Sequence, residues 1–399
     1  MGKNYVYIGN WRAEKLTGAG LRDLEEEMKQ HGIAICEYDA QTGKITRKKN
    51  DFEKLYVGAA HIDEKRGILY CTDERTDYPG LRAGGGGQIC AFKIDPETGD
   101  LALLNALPSC GANPSFCVTD ADSKYLLVTN YGFRTTITQT EQDAFGKIVI
   151  KVLHDESSVV LFPLNEDGSI AEPIDIFRLT GEGPDVAFQL SPHAHSIRKA
   201  PGKNLYAVCD KGGDQVFMFK IDYENGKIVQ CEGSPYKRTP RSAPRYCYFH
   251  PTLPYLYVNK EGDTIISVFR YDDDGRLYHV ETVSALPEHI PSPEGFLCQS
   301  DILVTPDGKY VYDMIRHANV ISVYEIDQET GKLKMIQAVE NTYDGARAFR
   351  IAPDGKYLIV DYLGGHKVVT YPLAEDGKIL PEVSSIVQPT PATVSFYEA

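Results

Sequence analysis

A sevenfold internal repeat constrains the fold of this chain more than any other feature. Each copy has an alternating apolar strand, then a polar turn that closes on glycine, then an apolar residue. The copies are IAICEYDAQTGKI from Ile33, ICAFKIDPETGDL from Ile89, VVLFPLNEDGSI from Val159, VFMFKIDYENGKI from Val216, ISVFRYDDDGRL from Ile266, ISVYEIDQETGKL from Ile321 and VVTYPLAEDGKI from Val368. The turn glycines lie about 56 residues apart on average, a spacing that suits a blade of four strands and its loops.

Two further strands precede most copies, which gives each unit an order of four strands that we name a to d. The second strands read like KYLLVTNY and NLYAVCDK, and the first strands read like HSIRKAP and RYCYFHP. The chain begins on a b-type strand, YVYIG, and ends on PATVSFYEA, which has the alternation of an a-type strand. We therefore predict an all-β, seven-bladed β-propeller with four-stranded antiparallel blades, closed by the C-terminal strand in the N-terminal blade.

This ring is expected to occupy residues 1–399 as one domain. Two segments interrupt the repeat and are predicted to be insertions: a helical stretch from Gly20 to Gly32 and a hairpin-like segment from Arg134 to Ser158.

The composition and charge of the chain indicate which kinds of partner it can bind and in which compartment we expect it. A net charge of −14 and a pI near 5.2 argue against nucleic-acid or anionic-membrane binding, because both need a broad basic surface. The sequence has no signal-peptide pattern, no apolar run long enough for a membrane span and no CxxC pair among its nine cysteines. We expect a cytoplasmic monomer or homodimer with reduced thiols.

Polar residues recur at one rim of the predicted ring. Strands a and b are antiparallel neighbours, so the start of a and the end of b meet at the same rim. His195, Arg245 and Arg347 each stand six residues before a proline, at the starts of their a strands. The polar residues at the ends of b strands are Asp73, Glu74, Asn130, Tyr131, Asp210, Lys211, Glu261, Arg316 and Asp361.

Several of these residue types suit the binding of a small anion. Guanidinium groups recognise carboxylate or phosphate, and His195 could act as a general base near neutral pH. Glu261 among the arginines would stay ionised or carry a proton. His193 and His195, two apart on a strand, are expected to point to the same face, which could suit a metal. No carboxylate or cysteine stands at ligand spacing, so neither a metal nor a cofactor is expected. No G-x-S-x-G serine elbow is present.

The chain resembles the lactonase-type seven-bladed propeller family, which contains bacterial 6-phosphogluconolactonase and fungal 3-carboxy-cis,cis-muconate lactonising enzyme. The most specific segments are QLSPHAHSIRKAPGKNLYAVCDKGGDQV, APRYCYFHPTLPYLYVNKEGDTIISVF, SDILVTPDGKYVYDMIRHANVISVY and ARAFRIAPDGKYLIV. The resemblance implies that His195, Arg245, Glu261 and Arg316 line the catalytic site. The predicted substrate-binding residues are His193, Arg347, Asn130, Tyr131 and Asp301.

The expected activity is metal-independent hydrolysis of a small anionic sugar aldonolactone, with or without a phosphate. Cycloisomerisation of a muconate-like dicarboxylate would use the same pocket without water. A non-catalytic propeller that binds protein is the third alternative, because a fold does not determine a function.

Overall fold

A computed structural model describes residues 4–11, 32–76, 85–133, 136–237, 240–291 and 299–398, and in these residues the chain forms β-strands and no helix. The strands are β1 Asn4–Asn10, β2 Gly32–Asp39, β3 Lys44–Asp51, β4 Val57–Asp63, β5 Ile68–Asp73, β6 Gln88–Ile94, β7 Leu101–Pro108, β8 Pro114–Thr119, β9 Tyr125–Asn130, β10 Thr136–Gln142, β11 Ile148–His154, β12 Ser158–Pro163, β13 Asp175–Arg178, β14 Ala194–Lys199, β15 Tyr206–Asp210, β16 Gln215–Asp222, β17 Lys227–Gln230, β18 Tyr236–Lys237, β19 Pro244–Phe249, β20 Tyr255–Lys260, β21 Ile265–Tyr271, β22 Leu277–Ser284, β23 Gln299–Val304, β24 Tyr310–Ile315, β25 Val320–Ile326, β26 Leu333–Val339, β27 Ala346–Ile351, β28 Tyr357–Tyr362, β29 Lys367–Pro372, β30 Ser384–Val387 and β31 Pro391–Glu398.

Seven antiparallel sheets form the blades, and each follows the predicted order a to d. Blades 1 to 7 are β31-β1-β2-β3, β4-β5-β6-β7, β8-β9-β12-β13, β14-β15-β16-β17, β19-β20-β21-β22, β23-β24-β25-β26 and β27-β28-β29-β30. The short strand β18 adds a fifth member to blade 4 by pairing with β16. The seven-bladed fold that the repeat predicted is therefore confirmed.

The ring closes through the C-terminal strand. β31 pairs with β1 and supplies the innermost strand of blade 1. The a strands of successive blades contact one another around the whole ring, and β31 lies between β27 and β4. Each innermost strand is the edge of its own sheet, and closure packs it between the innermost strands of two neighbouring blades, so that these edges are short and protected.

Of the two predicted insertions, the hairpin lies in the described residues and the helix does not. Strands β10 and β11 pair with each other as a separate two-stranded sheet, so the expected hairpin is present in the described residues 136–154. The expected helix lies outside the described residues, except for Gly32, which begins β2. Nothing helical in the described part of the chain has the length and apolar character needed to span a bilayer.

Tyrosines of several b strands clasp the turn of the next blade by hydrogen bonding to its backbone, beside the glycine that the repeat keeps there. The hydroxyl of Tyr257 in blade 5 donates to Gly331 O at 3.1 Å, and the Tyr255 hydroxyl donates to Glu329 O at 3.0 Å. The same bond to a turn glycine is made by Tyr7 to Gly99, Tyr70 to Gly168 and Tyr312 to Gly377. The glycine turn therefore joins blades as well as closing a hairpin.

Substituting a clasped glycine is expected to cost more stability than substituting an open one. Gly331 has φ +69°, and a Cβ there would lie 2.5 Å from the Tyr255 ring, whereas Gly355 has φ +72° and nothing within 4 Å. Both alanine variants carry a left-handed strain of about 1–2 kcal/mol, but only Gly331→Ala adds overpacking of roughly 1–3 kcal/mol. Urea unfolding should show that difference, and equal losses in the two variants would contradict the clasp.

Candidate active site

A β-bulge interrupts the pairing of strands a and b at the same rim of every blade. An added residue on one strand bends it and re-aims side chains. His195, Arg245 and Arg347 lie in the bulges of blades 4, 5 and 7. Their shared distance of six residues from a proline is thus the sequence signature of a shared bulge position.

A second position, the residue directly after strand b, completes the rim. In blades 1 to 6 it is held by Trp11, Glu74, Tyr131, Lys211, Glu261 and Arg316. Together with the bulge residues these side chains enclose a cavity of about 430 Å³. Its lining residues are Trp11, Glu74, Asn113, Ser115, Tyr131, Phe133, His195, Lys211, Arg245, Glu261, Arg316 and Arg347.

Glu261 is the centre of a cluster of cations at one side of the cavity. Its side chain is only 1% exposed. Oε2 lies 2.8 Å from Lys211 Nζ and 3.4 Å from Arg245 Nε, and Oε1 accepts a hydrogen bond from Arg316 Nη2. Three positive groups therefore face one carboxylate, so this side of the cavity carries an excess of positive charge.

The pKa values in this cluster follow from burial and from these charges. Burial alone would raise the pKa of Glu261, but the charges of Lys211, Arg316 and Arg245 outweigh it and hold that pKa well below its usual value. Burial and the neighbouring charge of Arg245 lower the pKa of Arg316 to about 10. Glu261 and Arg316 are therefore ionised at neutral pH, and the cluster offers a fixed site for a negatively charged ligand or oxyanion.

Removing the charge of Glu261 is expected to destabilise the fold strongly. The Glu261→Gln variant leaves three buried cations without their carboxylate, and breaking a buried ion pair costs about 3–5 kcal/mol. The pKa of Glu261 is lowered in the folded protein, so the full difference in free energy of unfolding between variant and wild type should be present at neutral pH. The difference should shrink only in strong acid, where the wild-type Glu261 is protonated too.

Chemical denaturation of matched variants would measure this effect. Glu141→Gln is the control, since Glu141 pairs with Lys151 at 3.3 Å on the exposed hairpin, where a pair contributes less than about 1 kcal/mol. Similar free energies of unfolding for the two variants would contradict the central role of Glu261.

His195 lies beside this cluster in a largely aromatic setting. The centroid of its ring is 5.5 Å from that of Tyr131 and 5.4 Å from that of Tyr246. Nδ1 is buried and has no hydrogen-bond partner among the described residues. Burial, and then the charge of Arg245, lower the pKa of His195 well below 6.5. The imidazole is therefore neutral at pH 7 and able to accept a proton.

A separate ion pair lies at the other side of the cavity. Arg347 Nη2 is 3.3 Å from Glu74 Oε2, and its guanidinium carbon lies 4.4 Å from the centre of the Trp11 ring. Arg347 of blade 7 thus reaches over blade 1 to a carboxylate of blade 2. Among the described residues of this side, the charges of Arg347 and Glu74 cancel and Trp11 supplies an aromatic face.

Six of the nine predicted site residues line the cavity, namely Tyr131, His195, Arg245, Glu261, Arg316 and Arg347. The other three do not. His193 is 2% exposed and stacks on Tyr131 at 4.4 Å, with Nδ1 3.0 Å from Tyr131 O, so it supports the wall from behind. The expectation that His193 and His195 face the same way is wrong, because the bulge between Ala194 and Ser196 breaks the alternation.

Asn130 and Asp301 are placed away from the predicted substrate contacts. Asn130 is fully buried and donates to Ser109 O and Ser158 Oγ, so it ties the segment after β7 of blade 2 to strand β12 of its own blade. Asp301 is also fully buried and accepts a hydrogen bond from Arg350 Nη1 at 2.9 Å, outside the cavity lining.

Four of the lining residues that the sequence did not assign to the site occupy the same two positions. Trp11, Glu74 and Lys211 directly follow b strands, and Ser115 is the bulge residue of blade 3. The sequence had already placed Glu74 and Lys211 at the ends of b strands, and carrying the register of Glu261 and Arg316 into blade 1 would have added Trp11. Asn113 and Phe133 lie in loops next to these positions, and no signal in the repeat marks them. No group of three or more His, Cys, Asp or Glu in the described ranges is placed to hold a metal ion.

Comparison with known proteins gives a consistent family. The model of a family described as lactonase, seven-bladed β-propeller, matches residues 24–396. The 6-phosphogluconolactonase of Bacillus subtilis is 27% identical over 399 residues, which cover 99% of each chain. A crystal structure of a candidate 6-phosphogluconolactonase from Bacteroides fragilis has a TM-score of 0.79 at 23% identity, covering 100% of this chain and 98% of the other. The periplasmic gluconolactonase of Pseudomonas aeruginosa has a TM-score of 0.78 at 18% identity, covering 99% of both.

Proposed function

Because the chain belongs to the lactonase family of seven-bladed β-propellers, we propose that it hydrolyses a sugar lactone in the cavity lined by His195 and the Glu261 cluster. The observation that carries the proposal is a neutral imidazole beside three cations held by one buried carboxylate. That combination supplies a proton acceptor and a preformed site for negative charge. The 6-phosphogluconolactonases and the gluconolactonase among its relatives support a sugar lactone as the substrate.

The reaction requires one base and one oxyanion site. His195 takes a proton from water while the water oxygen bonds to the lactone carbonyl carbon. Arg245 and Arg316 stabilise the oxyanion of the tetrahedral intermediate. The bond from the carbonyl carbon to the ring oxygen then breaks, and the protonated His195 returns its proton to that oxygen. The product is an open-chain hydroxy acid, which ionises in solvent.

In this scheme Glu261 holds the cations and does not carry a proton. Its lowered pKa keeps it ionised at neutral pH, and all its described polar contacts are with cations. Of the two roles expected from the sequence, staying ionised and carrying a proton, the first fits the geometry. Glu261 is thus proposed to position Lys211, Arg245 and Arg316.

The chemistry above needs no metal, and we propose that the enzyme works without one. The test is turnover of glucono-δ-lactone, its 6-phosphate and a carboxymuconate, with acid release or cyclisation measured with and without EDTA. Hydrolysis of an aldonolactone that EDTA does not change is the expected result. Cyclisation of the muconate alone would favour the isomerase, and no turnover of any compound would favour the binding protein.

A further inference from the structure

The two acidic residues of the cavity lie on opposite sides of the ring and have different surroundings. Glu261 in blade 5 faces three cations, so a net positive charge remains there for a ligand. Glu74 in blade 2 is paired with Arg347, so that side has no net charge from this pair. Among the described lining residues, a ligand that spans the cavity therefore meets a cationic side at one end and, at the other, a charge-balanced pair beside an aromatic ring.

The fold makes room for Glu74 in a specific way. At the bulge positions where blades 4, 5 and 7 carry His195, Arg245 and Arg347, blade 2 has Gly58. A Cβ on Gly58 would lie 2.0 Å from Glu74 Oε2, the same oxygen that faces Arg347. The carboxylate therefore occupies the space that a bulge side chain takes in those blades, and its place beside Arg347 depends on this glycine.

We propose that Glu74 determines specificity by selecting against a negative charge at the end of the substrate remote from the lactone carbonyl. The inference rests on the proposed function, since it places the carbonyl beside Arg245 and Arg316. The rest of the sugar then extends toward Trp11, Glu74 and Arg347. Hydroxyl groups there can donate to the Glu74 carboxylate, whereas a phosphate meets a like charge and an arginine that is already paired.

The preferred substrates are accordingly lactones whose remote end carries hydroxyl groups. A terminal phosphate or carboxylate should weaken binding as long as Glu74 keeps its charge and its place. Neutralising Glu74 leaves Arg347 without its carboxylate and turns the balanced side into an anion-binding one, so the same phosphate should then be favoured.

The test compares gluconate and 6-phosphogluconate, which differ only in the terminal phosphate. Calorimetric titration would give the ratio of their dissociation constants for the wild type, Glu74→Gln and Glu64→Gln. Glu64 is the matched control, because it is exposed in the turn between β4 and β5 of the same blade. We expect Glu74→Gln to shift the ratio toward 6-phosphogluconate about fivefold, as one removed charge predicts, and Glu64→Gln to leave it unchanged.

Two outcomes would overturn the proposal: an unchanged ratio in Glu74→Gln, or an equal shift in Glu64→Gln. Gly58→Ala keeps every charge but displaces the carboxylate, and it should shift the ratio in the same direction as Glu74→Gln; a wild-type ratio in a folded Gly58→Ala protein would overturn it too. Lactone turnover by the wild type is measured separately, so a failure of the proposed hydrolysis remains distinguishable from a failure of the role of Glu74.

Discussion

Replacing Arg316 with alanine is expected to lower kcat for lactone hydrolysis by about 10²- to 10³-fold, the usual effect of losing one oxyanion donor. Arg316 follows strand β24, lines the cavity and donates to Glu261. Its pKa of about 10 keeps it charged at the pH of the assay. Lys211 and Arg245 still neutralise Glu261 in the variant, so the fold should survive and the loss should lie in the chemical step.

The control variants separate the effect of losing the positive charge of Arg316 from the effect of losing its planar guanidinium geometry. Arg316→Lys keeps a cation without the planar fork and should recover part of kcat. Arg178→Ala removes an arginine from an exposed pair with Glu156 and should leave kcat unchanged. Steady-state kinetics on the preferred lactone gives kcat and KM for each protein. A variant with a raised KM but the wild-type kcat would show that Arg316 only binds substrate, since uniform binding does not change the chemical step.

The sequence was sufficient to predict the fold because a repeat multiplies a weak signal. One copy, such as ISVYEIDQETGKL from Ile321, predicts only a hairpin, but seven copies at regular spacing require a ring. The C-terminal alternation of PATVSFYEA predicted the closing strand, which pairs with β1. The repeat pattern did not reveal the hydrogen bonds that clasp neighbouring blades. In the pair Tyr257 and Gly331, for example, the tyrosine and the turn glycine are 74 residues apart in the sequence.

The sequence predicted site residues only at positions that recur at the same place in several blades. The spacing of His195, Arg245 and Arg347 before a proline identified a shared position without revealing that it is a bulge. A bulge breaks the alternation of side chains, and for that reason His193 was wrongly expected to share the face of His195.

The sequence also did not predict which charged residues form ion pairs with one another. Arg347 and Glu74 are 273 residues apart, and only the closed ring brings them together.

Replacing His195 with glutamine is expected to lower kcat by about 10²- to 10⁴-fold, because the variant keeps a polar side chain but loses the group that accepts the proton of water. His289→Gln is the matched control, since His289 is exposed and pairs with Glu340 at 2.8 Å away from the cavity lining. Circular dichroism and melting temperatures would establish that both variants are folded. Wild-type kcat in His195→Gln would assign the base to another group.

The pH dependence of kcat/KM gives a sharper test of the same residue. A protonated His195 cannot accept a proton, so activity should fall as the pH drops through the pKa of His195. Because burial and Arg245 lower that pKa, the acid limb should lie well below pH 6.5, and the profile should stay flat from neutral pH down past that value. Replacing Arg245 with methionine removes the neighbouring positive charge, so in the residual activity of that variant the acid limb should move to higher pH. An acid limb at the ordinary histidine value in the wild type, or one that persists in His195→Gln, would mean that a different group titrates.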